Sequence, residues 1–106
     1  MEKDDYNPSA EELLNASFEK ADDEFMEFEK ISPKLSNRRD LHAFMRLDQW
    51  FPSERVDNLI GAAEHDEYYL DIPIDKLVTL TDDQVVELSR CGIRFDDSLR
   101  CLAVFA

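Results

Sequence analysis

The chain has 106 residues, of which 43% are hydrophobic, enough for one domain with a modest core. Asp and Glu number 25 against 12 Lys and Arg, so the net charge of −13 argues against direct binding to DNA, RNA or anionic membranes and favours positively charged partners. The N-terminal residues do not resemble a signal peptide, no apolar run approaches the roughly 18 residues that span a bilayer, and two cysteines are too few for a disulfide framework, which together predict a soluble cytoplasmic protein.

Charge is distributed unevenly along the chain. Residues 1–29 hold eleven acids and two bases, residues 30–55 hold six bases and three acids, and residues 56–106 hold eleven acids and four bases. The net charges of these segments are therefore −9, +3 and −7. An asymmetry of this kind can steer a charged partner, and the sequence leaves open whether the basic segment 30–55 binds anything.

The first predicted element is a long helix. Residues 1–7 are polar without periodicity, which predicts a flexible tail in front of a single acidic α+β domain at residues 8–106. Ser9 and Glu12 have the spacing of a capping box, which favours a helix start. The apolar residues that follow recur at steps of 4, 3, 4 and 3, so we expect one helix of about five turns that ends at Ser32-Pro33. These residues are Leu14, Phe18, Ala21, Phe25 and Phe28.

Two further helices are predicted in the middle of the chain. Ser36 or Asn37 can cap a second helix, which should end near Trp50-Phe51-Pro52. Its inner side should hold Leu41, Phe44, Met45 and Leu47. Ser53 should open a third helix, with its buried side formed by Val56, Leu59, Ile60 and Ala63. The aromatic and β-branched content of residues 68–72 then predicts a short strand that ends at Pro73.

The remaining residues predict a fourth long helix and a hairpin. Residues 74–80 are long enough for one or two helical turns, and Thr81 with Gln84 forms a second capping box, followed by a helix that Gly92 should end in a left-handed turn. Residues 93–95 and 99–105 flank a turn at residues 96–98, and the largely apolar last strand should lie between the strands near residues 70 and 94. The expected fold is α+β, with about four helices and a small three-stranded antiparallel or mixed sheet that includes this C-terminal hairpin.

No residue pattern predicts catalysis. The sequence lacks HExxH, paired CxxC, GxGxxG, Walker and GxSxG motifs. Cys91 should lie at the C-terminal end of a helix, where the dipole raises a thiol pKa, and Cys101 in an apolar strand, so we expect both thiols to be reduced and inert. His65 and its acidic neighbours are consecutive and cannot all face one ion, and His42 is expected to be a surface or half-buried histidine. The sequence therefore predicts no catalytic residues, no metal site and no cofactor.

A row of like charges is the most specific signal for binding. Glu19, Asp23 and Glu27 are spaced i, i+4 and i+8, so a continuous helix would stack them about 6 Å apart at a small cost in stability. Such a row favours either a plain solubilising face or a face that binds a basic partner. The candidate partner-binding residues are Glu12, Glu19, Asp22, Asp23 and Glu27, with a possible second row at Asp66, Glu67, Asp82 and Asp83. Trp50, Tyr68 and Tyr69 are either core residues or interface anchors.

In its size, charge and acidic helix face the chain resembles the small acidic nucleic-acid mimics encoded by phages, such as anti-restriction and anti-CRISPR proteins. The resemblance implies an inhibitor that occupies the basic groove of a DNA- or RNA-binding defence protein, in the host cytoplasm. It transfers no residue roles. Two other functions fit the same charge: an immunity or antitoxin-type protein that neutralises a basic toxin, and an adaptor that uses its acidic and basic segments for two partners. An enzyme with an unrecognised acidic metal site is a further alternative, and the sequence does not predict the oligomeric state.

Overall fold

Four antiparallel strands form one sheet in the computed structural model, which describes residues 9–105. The predicted tail at residues 1–7 therefore lies outside the described residues. In chain order the strands are β1 (Ile60–Glu64), β2 (Glu67–Leu70), β3 (Ile93–Asp96) and β4 (Cys101–Phe105). Their order in the sheet is β1-β2-β4-β3, so the prediction that the last strand lies between those near residues 70 and 94 is confirmed. The predicted α+β class is also confirmed, with one more strand than the three expected.

In the described part of the chain, four helices accompany the sheet: α1 (Ala10–Lys20), α2 (Arg39–Trp50), α3 (Ile74–Leu77) and α4 (Asp82–Arg90). Both predicted capping boxes are present. The Glu12 backbone N–H donates to Ser9 Oγ at 3.1 Å, and the Gln84 backbone N–H donates to Thr81 Oγ1 at 3.2 Å. Gly92 has a φ of +86°, the left-handed conformation predicted for the end of α4.

The first helix is shorter than predicted. It ends at Lys20, and the chain continues through two 3₁₀ turns at Asp22–Glu24 and Phe28–Lys30. Contacts with α4 explain the break: Ser89 Oγ donates to the Ala21 carbonyl at 3.1 Å, and the Met26 N–H donates to the Ser89 carbonyl at 3.0 Å. Met26 has a φ of +68°, which a right-handed helix does not allow.

The predicted third helix is wrong. The Ser53 hydroxyl does not cap a helix; its one O–H lies within hydrogen-bonding distance of two acceptors, the Arg55 carbonyl at 2.6 Å and the Asp57 carboxylate at 2.8 Å. Residues 60–64 form β1 instead, and pair with β2 through a turn at His65 and Asp66. Over so short a segment, apolar residues three or four positions apart are compatible with either a helix or a strand. Here the segment forms a strand because it pairs with β2.

Side chains from all four helices and the inner face of the sheet form the core. Its buried members include Leu14, Leu47, Leu70, Leu77, Leu88, Ile93 and Leu102. The inner side of α2 differs from the prediction, because Leu41 and Met45 are 44% and 38% exposed whereas His42 is fully buried. Trp50 and Tyr68 are half-buried and pack against the core, as the core alternative predicted for them.

Candidate functional site

Three exposed acidic side chains lie where α1 ends. Glu19 is in the last turn of α1, and Asp22 and Asp23 open the first 3₁₀ turn. Within residues 9–105, no ion pair or side-chain hydrogen bond involves these three carboxylates. Glu19 and Asp22 also line one cleft of about 390 Å³, whose wall includes Phe25 and Arg94. We call Glu19, Asp22 and Asp23 the acidic corner.

The predicted helical row is not present. Because α1 ends at Lys20, Glu19, Asp23 and Glu27 lie on successive short elements and do not stack along one helix face. Glu27 is half-buried and its carboxylate lies 3.6 Å from Lys30 Nζ. The regular 6 Å spacing that motivated the prediction is therefore wrong, although two members of the row remain in the acidic corner.

Most of the other predicted site residues have structural roles. The Glu12 carboxylate accepts the Ser9 N–H at 2.9 Å and so caps α1. Asp82 and Asp83 occupy the first turn of α4, where negative charge stabilises the helix dipole. Asp82 also forms an exposed ion pair with Lys20, with 3.4 Å between its carboxylate and the ammonium group.

The second predicted row is divided between the β1–β2 hairpin and α4. Asp66 lies in the β1–β2 turn with a φ of +66°, and Glu67 opens β2 and forms an ion pair with Arg94. Asp82 and Asp83 belong to α4. These four acids therefore share no regular spacing, and the structure does not bring them together as one row.

The outer face of the sheet carries a second candidate surface, of which the sequence predicted only Glu67 and Tyr69 as candidate binding residues. Residues opposite each other in register share a face, and alternate residues along a strand do so too. Tyr69 therefore shares one face with Glu67 on its own strand, with Ala103 on the adjacent β4, and with Arg94 on β3 beyond it. We call this surface the open sheet face; its exposed and half-buried residues are Ala62, Glu64, Glu67, Tyr69, Arg94, Asp96, Cys101 and Phe105, whereas Ala103 is fully buried.

Carboxylates surround the Tyr69 phenol on the open sheet face. Partial burial raises the pKa of Tyr69, and the negative charges of Glu67, Glu64 and Asp96 raise it further. Phe105, on the same face, is 58% exposed and lies under the Arg94 guanidinium, whose carbon is 4.9 Å from the ring centre. The alternation of apolar and polar residues in Ile93–Asp96 was the signal that could have identified this face.

His42 is buried in a network that occupies both ring nitrogens. The Leu35 backbone N–H donates to Nδ1 at 3.1 Å, so Nδ1 carries no proton and Nε2 donates to the Glu87 carboxylate at 2.7 Å. Arg46 Nε donates to the same Glu87 oxygen at 2.6 Å. The expected surface or half-buried position of His42 is therefore wrong, because the side chain is fully buried. With both ring nitrogens hydrogen-bonded, the imidazole is not positioned as a general base.

The two cysteines are free and unreactive in their surroundings. Cys91 is buried at the C-terminal end of α4, where burial and the nearby Glu87 carboxylate raise the pKa of its thiol to about 12. Cys101 is half-buried on the open sheet face, and burial followed by the charge of Asp96 raises its thiol pKa as well. Neither thiol has the low pKa of a nucleophilic cysteine.

A further cleft lies between the end of α2 and the loop before β1. Its volume is about 280 Å³, and its apolar floor includes Leu47, Phe51 and Ile72. Both signs of charge line it, since Asp57 and Lys76 contribute to the same walls. Within residues 9–105 no group of three His, Cys, Asp or Glu side chains is arranged to hold a metal ion.

Over the same residues, no helix has both the length and the apolar character needed to cross a membrane. Comparison of the chain with protein-family models, with curated proteins and with solved structures finds no match.

Proposed function

We propose that the protein is a non-enzymatic inhibitor that presents the acidic corner to the basic groove of a DNA- or RNA-binding protein and so competes with nucleic acid. The observation that carries this proposal is that Glu19, Asp22 and Asp23 are adjacent, exposed and without an ion pair among the described residues. Ordered carboxylates can replace phosphates in a groove lined by Lys and Arg.

Internal ion pairs strengthen this interpretation of the acidic corner. Within residues 9–105, six of the eleven Lys and Arg residues form ion pairs. Arg90, for example, lies 2.9 Å from the Glu24 carboxylate and lowers the pKa of that group, which Lys30 also contacts. The charge of Glu24 is thus neutralised by its two ion pairs, whereas the three carboxylates of the acidic corner remain available for a partner.

A variant with three neutral side chains tests the proposal. The variant Glu19→Gln/Asp22→Asn/Asp23→Asn retains the shapes of the three side chains and changes the net charge from −13 to −10. A matched control, Asp48→Asn/Glu54→Gln/Asp75→Asn, removes three other exposed charges. The partner is first captured from the native host at low and high salt and then purified, and each variant is titrated against it between roughly 50 and 200 mM salt.

We expect wild-type affinity to fall steeply over this range, with the corner variant weaker and less salt-dependent than the control. Double-stranded DNA or RNA should displace the wild-type protein from its partner. Equal affinity and salt slope for the corner variant and wild type would refute the proposal and leave the acidic corner as solubilising surface.

The open sheet face favours a second candidate function, neutralisation of a basic toxin. Its support is the placement of an aromatic anchor, Tyr69, among the carboxylates Glu64, Glu67 and Asp96. A few central residues should then dominate binding. Tyr69→Ala would weaken such a complex far more than the corner variant does, and a toxin complex would not be displaced by nucleic acid.

A further inference from the structure

We infer that the outer edge of β1 accepts an extended, basic segment of a partner protein as a fifth strand of the sheet. The inference shares with the proposed function only the assumption of a basic partner, and it concerns a different part of the molecule. All five residues of β1 are exposed, and among the described residues its extensive contacts are with β2 alone. An edge of this kind presents unpaired backbone groups.

The β1–β2 turn determines which backbone groups point outward. His65 and Asp66 have φ values of +51° and +66°, as in a two-residue type I′ hairpin turn, and Glu64 pairs with Glu67 across it. The turn hydrogen bond makes Glu64 and Glu67 a hydrogen-bonded pair, so the next residue, Ala63, belongs to a non-hydrogen-bonded pair. The N–H and C=O of Ala63 therefore point away from β2 toward the open edge.

Small side chains leave part of this edge accessible for strand addition. Lys, Pro and bulky covering side chains commonly protect edge strands, whereas Gly61, Ala62 and Ala63 leave the backbone accessible. A bulge between Ile60 and Ala62 confines the regular part of the edge to its last three residues. The opposite edge strand, β3, contacts α1, and Asn15 Nδ2 of α1 donates to Asp97 just beyond β3 at 3.2 Å.

Charge identifies the kind of strand that fits. Residues 56–75 contain six acids and no Lys or Arg. A second copy of this chain would place this acidic segment against itself, which electrostatic repulsion disfavours. A strand with Lys or Arg at alternate positions would instead place these side chains on the open sheet face beside Glu64 and Glu67.

Backbone amide exchange of the full chain, followed by NMR, tests the inference. The probe is a capped hexapeptide of alternating Lys and Val. The control peptides replace Lys by Glu, or place Pro at the centre so that the peptide cannot form a continuous strand. We expect the Lys-Val peptide to slow exchange at Ala63 by about tenfold or more, with neither control doing so, because only a hydrogen-bonded strand protects that N–H.

Two variants separate the edge from the acidic corner. Ala63→Pro removes the outward N–H, which takes no part in pairing with β2, whereas Ala63→Val retains it. Peptide binding should be lost in the first variant and kept in the second, and the corner variant should bind the peptide like wild type. Protection of Ala63 that grows with protein concentration before peptide is added, or no protection by the Lys-Val peptide, would overturn the inference.

Discussion

In α2, an apolar residue is exposed and its polar neighbour is buried. Leu41 is 44% exposed whereas the adjacent His42 is fully buried, because its two ring nitrogens find partners in Leu35 and Glu87. A buried polar side chain is tolerated when all its hydrogen-bonding groups are satisfied. The sequence shows the residue types but not these hydrogen-bond partners. For this reason the burial predicted for Leu41 and His42 was wrong.

Substitution of these two neighbours should show which one supports the fold. His42→Ala opens a cavity and leaves the Leu35 N–H without its acceptor, so the free energy of unfolding should fall by on the order of 3 kcal/mol. Leu41→Ala, on the same helix turn, should cost less than about 1 kcal/mol. Urea denaturation of both variants measures the difference. A larger loss for Leu41→Ala would contradict the observed burial.

Cys91 should make stability depend on alkaline pH. Its folded thiol pKa is about 12, above the ordinary value of 9.0, so the folded state favours the protonated thiol. The stabilisation is complete below pH 9 and is lost as the pH rises toward about 12, at up to about 1.4 kcal/mol per pH unit. Between pH 8 and 10.5, the free energy of unfolding should therefore fall more steeply for wild type than for Cys91→Ala.

Labelling provides a separate measure of Cys91 in a Cys101→Ser variant. A thiol reagent at pH 8 should modify the remaining thiol only as fast as the protein opens, because Cys91 is 1% exposed. Complete labelling within seconds, with the circular dichroism of the folded protein retained, would show that the thiol is accessible and reactive.

At the scale of elements, local signals were predictable and long-range contacts were not. Both capping boxes depend on residues three positions apart, and the sequence located them correctly at Ser9 and Thr81. The end of α1 depends on Ser89, 68 positions from Ala21 along the chain, so helical periodicity extended the helix too far. The same long-range contacts break the predicted acidic row, while Asp22 and Asp23 remain beside Glu19.

The capping box of α4 should contribute measurably to stability. Thr81→Ala removes the hydroxyl that accepts the Gln84 N–H, and should lower the free energy of unfolding by about 1 kcal/mol. Thr81→Ser retains the hydroxyl and should lie close to wild type. The comparison requires only denaturation curves. Equal losses for the two variants would assign the effect to the methyl group rather than to the cap.

At the scale of the whole molecule, the net charge of −13 opposes the compact state. Salt screens this repulsion, so the Tm of the wild type should rise between roughly 10 and 300 mM NaCl. Neutralising the acidic corner should reduce that rise and leave the low-salt Tm equal or slightly higher, since the corner carboxylates have no ion pair to lose within residues 9–105. Thermal unfolding at several salt concentrations tests this, and a Tm that falls with salt would indicate that internal ion pairs dominate.

The position of β4 has a consequence for the order in which the protein can fold during synthesis. β2 and β3 are both translated before β4, yet they do not pair with each other, because β4 lies between them. A nascent chain that has emerged as far as β3 can form the helices and the β1–β2 hairpin. It cannot complete the sheet, because β4 must join β2 to β3. Until residues 101–105 emerge from the ribosome, the edges of β2 and β3 and the apolar side chains beneath them are available to chaperones and to other nascent chains.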